Sequence, residues 1–290
     1  MIRSLLYVPG NIPRFLEKAG QRGADVVIID LEDAVPEAAK TAAREALTSS
    51  VPMAGRRVFV RVNMNERLFD DAAAAVRAGA EGLYLPKVAH VDVLHDLAAH
   101  LAPLETGRAP IDFVPLIEDS EGLFEARAIA KGPRVLALSS GGEDLATSMG
   151  AKPTAEVLRV PKLMIHYAAK AAGVMSFGMF RSTVDYTDQA AIREAAREAR
   201  DFGFDGASCI HPAVVPILNE GFTPSADEIA WARRVVEANA IEAAAGRGAF
   251  TLDGKFIDAP IVTRAERLLS VIDRQPHPGG PVSFLKGFCS

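Results

Sequence analysis

At 290 residues the chain is long enough for one large α/β domain or two smaller ones with an ample core. Its 49% hydrophobic and 24% charged residues, with a formal net charge of −5 and interleaved acids and bases, leave no basic stripe for a nucleic-acid partner. No apolar run reaches the ~18 residues of a membrane span, and the opening MIRSLLYVPGN reads as a strand and not as a signal or transit peptide. A cytoplasmic protein is therefore expected. Cys209 and Cys289 cannot build a disulfide framework, and no Cys/His spacing suggests zinc.

Short aliphatic runs recur along the chain, each followed by an Ala-rich amphipathic segment. SLLYVP (4–9) leads to PRFLEKAGQRG, DVVIIDLE (25–32) to PEAAKTAAREAL, and RRVFVRVN (56–63) to ERLFDDAAAAVRAG. EGLYLPKV (81–88) precedes VDVLHDLAAHLA, DFVPLIE (112–118) precedes GLFEARAIA, and RVLALSSG (134–141) precedes a helix near 153–172. GVMSFGMF (173–180) leads to a helix near 187–202, and FDGASCI (204–210) to PAVVPILNEG. Continuous apolar strands separated by helices indicate a helix-covered parallel sheet, and eight such units favour a (β/α)8 TIM barrel over an open doubly wound sheet. No GxGxxG or GxxxxGK[ST] is present, which weakens a nucleotide-binding reading.

Past residue 221 the rhythm changes. PSADEIAWARRVVEANAIEAAAG predicts a helix capped by Ser225, with Glu228 completing a capping box. FTLDGKFIDAP reads as a hairpin cornered on Asp253–Gly254, TRAERLLSVIDR as a further helix, and QPHPGGPVSFLKGFCS as a tail. The expected division is thus a barrel over 1–221 and a helical extension over 222–290 that packs on, or reaches into, a neighbouring subunit.

Active sites of barrels form where strands end, so polar residues at those positions carry the most weight. Glu32 and Asp33 close the second run, Arg61 and Asn63 the third, Lys87 the fourth and Glu118 the fifth; Glu143 and Asp144 follow the sixth. In FVPLIEDSEGL three acids fall within four positions, where Asp119 or Ser120 suits a helix cap and Glu118 suits a strand end. Glu118 and Asp144 sit on successive units, so adjacent strands bring their carboxylates close. Such a pair suits a hard divalent ion, Mg²⁺ by default; the competing reading pairs each acid with a base such as Arg61 or Lys87. His211 in CIHPAVV reads as a structural hydrogen-bonding residue. Arg181 and Asp185 either rim the site or cap a helix, Met175 and Met179 read as core, and Ser139 and Ser140 lack a GxSxG elbow.

Seven phrases in order, RSLLYVPGN, VIIDLEDAVP, VFVRVN, LPKV, PLIEDSEGL, GGEDLA and GFDGASCIHPAVV, resemble the citrate lyase β-subunit-like proteins of the HpcH/HpaI aldolase group. The resemblance runs from about residue 2 to 262 and points to the malyl-CoA and citramalyl-CoA lyase branch. It implies a Mg²⁺-dependent barrel acting on thioesters of hydroxy acids, with Glu118 and Asp144 as metal ligands and Arg61 at the thioester carbonyl. Glu32 and Asp33 would support the site, Lys87 would contact substrate, and Arg3, Arg14 and Lys18 would be candidate CoA-phosphate contacts. In DGKFID, Asp258 would be the acid reaching a neighbouring subunit's site, which implies a homo-oligomer, a trimer or a hexamer. Two departures, Val214 where Gln is frequent and Ala207–Ser208 where a base often stands, bear on the substrate and not on the metal pair.

The expected reaction is reversible cleavage of a hydroxyacyl-CoA into an acyl-CoA and a 2-oxo acid. A malyl-CoA-type thioesterase and a citrate lyase β subunit working on a carrier-protein thioester remain alternatives. Two further ones are a metal aldolase of free oxo acids and a non-catalytic acyl-CoA-binding protein.

Overall fold

A computed structural model describes residues 1–55, 57–181 and 186–273; Asp185 and the expected tail with Cys289 lie outside the described residues. These residues separate into two compact units, Ile2–Phe222 and a second from Thr223 onward.

The first unit is built on eight parallel strands: β1 (Ser4–Pro9), β2 (Val26–Asp30), β3 (Val58–Arg61), β4 (Gly82–Leu85), β5 (Asp112–Ile117), β6 (Ala137–Ser140), β7 (Met175–Phe177) and β8 (Ala207–Cys209). Each pairs with the next in sequence up to β7, and β8 returns to pair with β1. Closure comes from the bridge Phe177↔Gly206, where Gly178 N–H donates to the Gly206 carbonyl at 2.8 Å. With helices between successive strands, this is the (β/α)8 TIM barrel. No described helix is long and apolar enough to cross a membrane.

The strands are shorter than the apolar runs because the last residues of several runs leave the ladder. β2 stops at Asp30, whose carboxylate accepts from Glu32 N–H (2.9 Å) and Ala34 N–H (3.1 Å) and turns the chain on itself. Glu32, Asn63 and Lys87 consequently sit in loops beyond the strand ends. Another difference follows β6, where a short helix, Gly142–Ser148, precedes the expected one, which spans Ala155–Ala171. Glu143 and Asp144 occupy its first turn, where negative charge is favoured.

Two apolar layers hold the barrel. The interior is filled by Leu5, Ile28, Phe59, Tyr84, Val114, Leu116 and Phe177, and the outer faces of the strands pack on the helices. Interior packing depends on Gly82: a Cβ there would lie 2.6 Å from the Phe59 ring.

The second unit contains the helix Ala226–Ala244, the hairpin Phe250–Leu252/Lys255–Ile257 and the helix Ala259–Asp273, around a small core of Ala232, Val235, Ile257, Val262 and Ala265. The Ser225/Glu228 capping box is formed. Asp253 (φ 50°) and Gly254 (φ 74°) turn the hairpin in the left-handed region, as the DG corner requires.

Gly82→Ala tests the interior packing. The added methyl forces the Phe59 ring to move in a filled barrel, which costs about 1–3 kcal/mol and outweighs the smaller gain from a stiffer unfolded chain. Thermal melts should show Tm falling by several degrees; an unchanged Tm would mean that the interior yields more readily than its packing suggests.

Candidate active site

Beyond the carboxyl ends of the strands lies a cavity of about 420 Å³, whose wall includes Tyr7, Asp30, Asp33, Arg61, Glu118, Gly141, Asp144 and Lys162. Its geometry starts with Arg61, the last residue of β3 and the register partner of Asp30 across the sheet. The guanidinium grips the Asp30 carboxylate with both edges, Nε to Oδ1 at 2.7 Å and Nη2 to Oδ2 at 2.6 Å, in the fork geometry that Lys cannot reproduce. Nη1 also lies 2.9 Å from Glu32 Oε2 and 3.2 Å from Asp33 Oδ2. The Tyr7 ring supports the group from one face, 5.0 Å from its centroid. Burial works against the charge, but the Asp30 contacts outweigh it and hold Arg61 above its ordinary range.

A second layer fixes the acidic turn. Lys40 Nζ donates to the carbonyls of Leu31 (3.0 Å) and Glu32 (2.7 Å) and to Asn63 Oδ1 (2.6 Å). Asn63 in turn donates to Asp71 and to the Leu31 carbonyl. Gly10 allows close approach from β1: its N–H meets the Asp30 carbonyl at 2.8 Å, and a Cβ would stand 2.9 Å from that oxygen.

Lys87 joins two acids. Its ammonium pairs with Glu32 Oε1 at 2.7 Å, and its backbone N–H donates to Glu118 Oε2 at 2.9 Å from a left-handed conformation, φ 53°. Burial raises the Glu32 carboxyl despite Lys87 and Arg61, whereas the bond to Glu32 raises Lys87.

Glu118 is 5% exposed, and no Lys, Arg or His side chain forms an ion pair with it or with Asp144 among the described residues. Burial, followed by Asp144 and Glu32, pushes its carboxyl up to about 7 against the Lys87 N–H and the more distant Arg61 charge. A Cβ on Gly141 would collide with Glu118 Oε1. The first glycine of GGED is thus what lets the turn carrying Asp144 close over the Glu118 carboxylate. Two carboxylates on one cavity wall, without an ion-paired base, could hold a hard divalent cation that keeps open positions for other oxygen ligands. No group of three or more His, Cys, Asp or Glu residues converges among the described residues.

The sequence expectations divide accordingly. Arg61, Asp33, Glu118 and Asp144 share the cavity wall, and Glu32 sits behind Arg61. Lys87 lies beside them with its ammonium on Glu32. Arg14 and Lys18 are exposed on the helix Pro13–Ala19 that follows β1. Arg3 stands apart from the cavity. It precedes the amino end of β1, about 20 Å along the strand from the rim, and pairs with Asp25 through Nε and Nη2, both at 2.9 Å. Asp258 belongs to the second unit, where its carbonyl accepts from Ile261 and Val262 at the start of a helix.

His211 has the structural role expected, its Nδ1 accepting from Ala213 N–H at 3.2 Å; Asp119 caps the helix Ser120–Ile129 through Gly122 N–H at 2.7 Å. Sequence reasoning missed Asp30, Lys40 and Lys162. Asp30 ends an apolar run opposite the run that ends in Arg61. Lys162 stands on an apolar helix stripe with Leu158, Pro161, Ile165 and Ala169.

The raised Glu118 carboxyl has a measurable sign. The folded protein holds this proton more tightly than the unfolded chain, so in chelator its stability falls as pH rises from about 4.5 to about 7, then levels. The contribution is on the order of 3 kcal/mol. Glu118→Gln should remove that part of the decline in urea unfolding; identical pH profiles would contradict it.

The profile of the HpcH/HpaI aldolase/citrate lyase family matches residues 3–212. A citrate lyase subunit beta-like protein of Mycobacterium tuberculosis is 34% identical over 275 residues, covering 91% of this chain and 93% of that one. A (3S)-malyl-CoA thioesterase of Cereibacter sphaeroides is 33% identical over 276 residues, covering 92% and 93%. The crystal structure of CitE from M. tuberculosis with magnesium, acetoacetate and coenzyme A superposes with a TM-score of 0.76 at 32% identity, covering 92% of this chain and 97% of that one. The chain belongs to the HpcH/HpaI aldolase/citrate lyase family.

Proposed function

We propose that the chain is a Mg²⁺-dependent carbon–carbon lyase. It would reversibly cleave a hydroxyacyl-CoA of the malyl-, methylmalyl- or citramalyl-CoA type into an acyl-CoA and a 2-oxo acid. The observation that carries this reading is one cavity holding a rigidly braced guanidinium, Arg61, and an acid pair, Glu118 and Asp144, that forms no ion pair with a base among the described residues. The magnesium, acetoacetate and coenzyme A bound by the related M. tuberculosis CitE support it.

Glu118 and Asp144 would hold Mg²⁺, which supplies Lewis acidity at a 2-hydroxy group and a template for the adjoining carboxylate. Arg61 faces the thioester oxygen, where negative charge gathers as the carbon–carbon bond breaks and an enolate forms. Its bidentate lock on Asp30 means that it need not reorganise as that charge develops. Glu32, Asp33 and Lys87 keep the acidic turn and the guanidinium in register. Asp258 of a neighbouring subunit exchanges the proton with the enolate carbon, which makes the active species a homo-oligomer. Arg14 and Lys18, one helical turn apart, contact the CoA phosphates.

A second reading has specific support in the 33% identical malyl-CoA thioesterase: hydrolysis of the thioester on the same scaffold. One experiment separates the two. Purified protein is incubated with acetyl-CoA or propionyl-CoA and glyoxylate or pyruvate, with Mg²⁺ or with chelator, and products are read by mass spectrometry. The lyase reading expects a new hydroxyacyl-CoA that disappears with chelator. Free hydroxy acid with free CoA from a pair would show thioester hydrolysis following condensation, whereas a thioesterase alone would act only on a preformed hydroxyacyl-CoA such as malyl-CoA, supplied in a parallel incubation; no product from any pair or from that thioester would overturn both. Arg61→Lys should lower kcat by about 100-fold or more while leaving the KM for the oxo acid nearly unchanged; wild-type turnover would remove Arg61 from the chemistry.

A further inference from the structure

Lys162 is a buried charge that the mechanism above does not use. It projects from the helix Ala155–Ala171 into the cavity wall and is 4% exposed. Its Nζ donates to the Met179 carbonyl at 2.7 Å and, more weakly, to the Arg181 carbonyl at 3.4 Å, and it forms no ion pair with any carboxylate among the described residues. An ammonium has three protons, so one more acceptor can be accommodated. Glu143, on the same cavity wall, attracts this charge from a distance but forms no ion pair with it, and burying an ammonium without a paired counter-ion is costly unless something else supplies the negative charge.

The consecutive glycines Gly141 and Gly142 indicate where that charge belongs. A Cβ on Gly141 would strike the Glu118 carboxylate, and one on Gly142 would lie 3.2 Å from Lys162 Nζ. The turn that carries Asp144 therefore runs between a buried anion and a buried cation, both on the wall of one cavity. A cation on Glu118 and Asp144 would leave the Lys162 side as a positive pole with no carboxylate in direct contact among the described residues.

We propose that Lys162 recognises the carboxylate of the 2-oxo acid, making it a specificity-determining contact of the cavity. The assignment rests on the lyase reading of the site. A carboxylate there accepts the third ammonium proton and gives the buried charge its partner, whereas a neutral carbonyl compound gains nothing from it. Lys162 thus selects oxo acids over aldehydes and ketones of the same size.

Calorimetry on Mg²⁺-loaded protein tests the assignment, with pyruvate as the probe and Mg²⁺ affinity measured in parallel on metal-free protein. Lys162→Met, which keeps the stem and removes the charge, should weaken pyruvate binding by about 10- to 100-fold while Mg²⁺ affinity stays within about twofold. Lys162→Arg should recover part of the pyruvate affinity. Pyruvate binding by Lys162→Met equal to wild type overturns the proposal. So does a parallel loss of Mg²⁺ and pyruvate binding, which would make Lys162 a packing group of the Gly141–Gly142 turn. If Lys162→Met does not fold, Lys162→Arg decides: pyruvate affinity no better than that of wild-type protein without Mg²⁺ counts against a charge contact. Wild-type protein that binds Mg²⁺ but no pyruvate would overturn the lyase reading and this assignment with it.

Discussion

The bidentate lock between Arg61 and Asp30 is the interaction on which the rest of the rim depends. Both side chains are largely out of water, and a guanidinium buried there without Asp30 would carry a severe desolvation penalty. Asp30 also accepts the two backbone N–H groups that turn the chain after β2, so one carboxylate shapes the loop and holds the cation. Glu32 and Asp33 reach Arg61 because that turn delivers them to it, and Lys40 clamps the same turn through its carbonyls. The rim is thereby rigid before any ligand arrives, which is the condition for a cation to act on charge that develops only during a reaction.

Charge balance explains the other half of the cavity. Arg61 is shared among three acids and Lys87 is committed to Glu32, leaving Glu118 with one backbone N–H and Asp144 with no ion pair among the described residues. Burial holds the Glu118 carboxyl near neutrality, the expected condition of an acid that awaits a positive partner. The glycine at 141 lets the turn that carries Asp144 pass against the Glu118 carboxylate, and the glycine at 142 makes room for the Lys162 ammonium. A turn of two glycines and two acids thus combines close approach with charge. A substitution at either glycine would disturb the site without touching a charged group.

Much of this was legible from the chain. Eight apolar runs separated by amphipathic segments specify a closed parallel barrel, and the DG corner and the Ser225/Glu228 pair specify their turn and cap through local chemistry alone. Strand-end position also picked out Arg61, Glu118 and Asp144, because a barrel directs those ends to one rim. Asp30 was hidden inside VVIID, where an acid after four aliphatics reads as the strand's last residue; only the register opposite Arg61 reveals it as a partner. Lys162 was hidden by periodicity, since a lone Lys on an apolar stripe reads as a side chain that bends out to water, and here it does not. The position of Arg3 was hidden for a different reason: the motif RSLLYVPGN spans a whole strand, so its first and last residues lie at opposite ends of that strand.

We expect Glu118 and Asp144 together to bind one divalent cation. Titrating Mg²⁺ into metal-free protein by calorimetry tests it without reference to turnover. One ion per chain should bind, with Glu118→Gln and Asp144→Asn each weakening binding by about tenfold or more while the fold stays intact. An ion bound with equal affinity by wild type and both variants, or no ion bound by the wild-type chain, would contradict it.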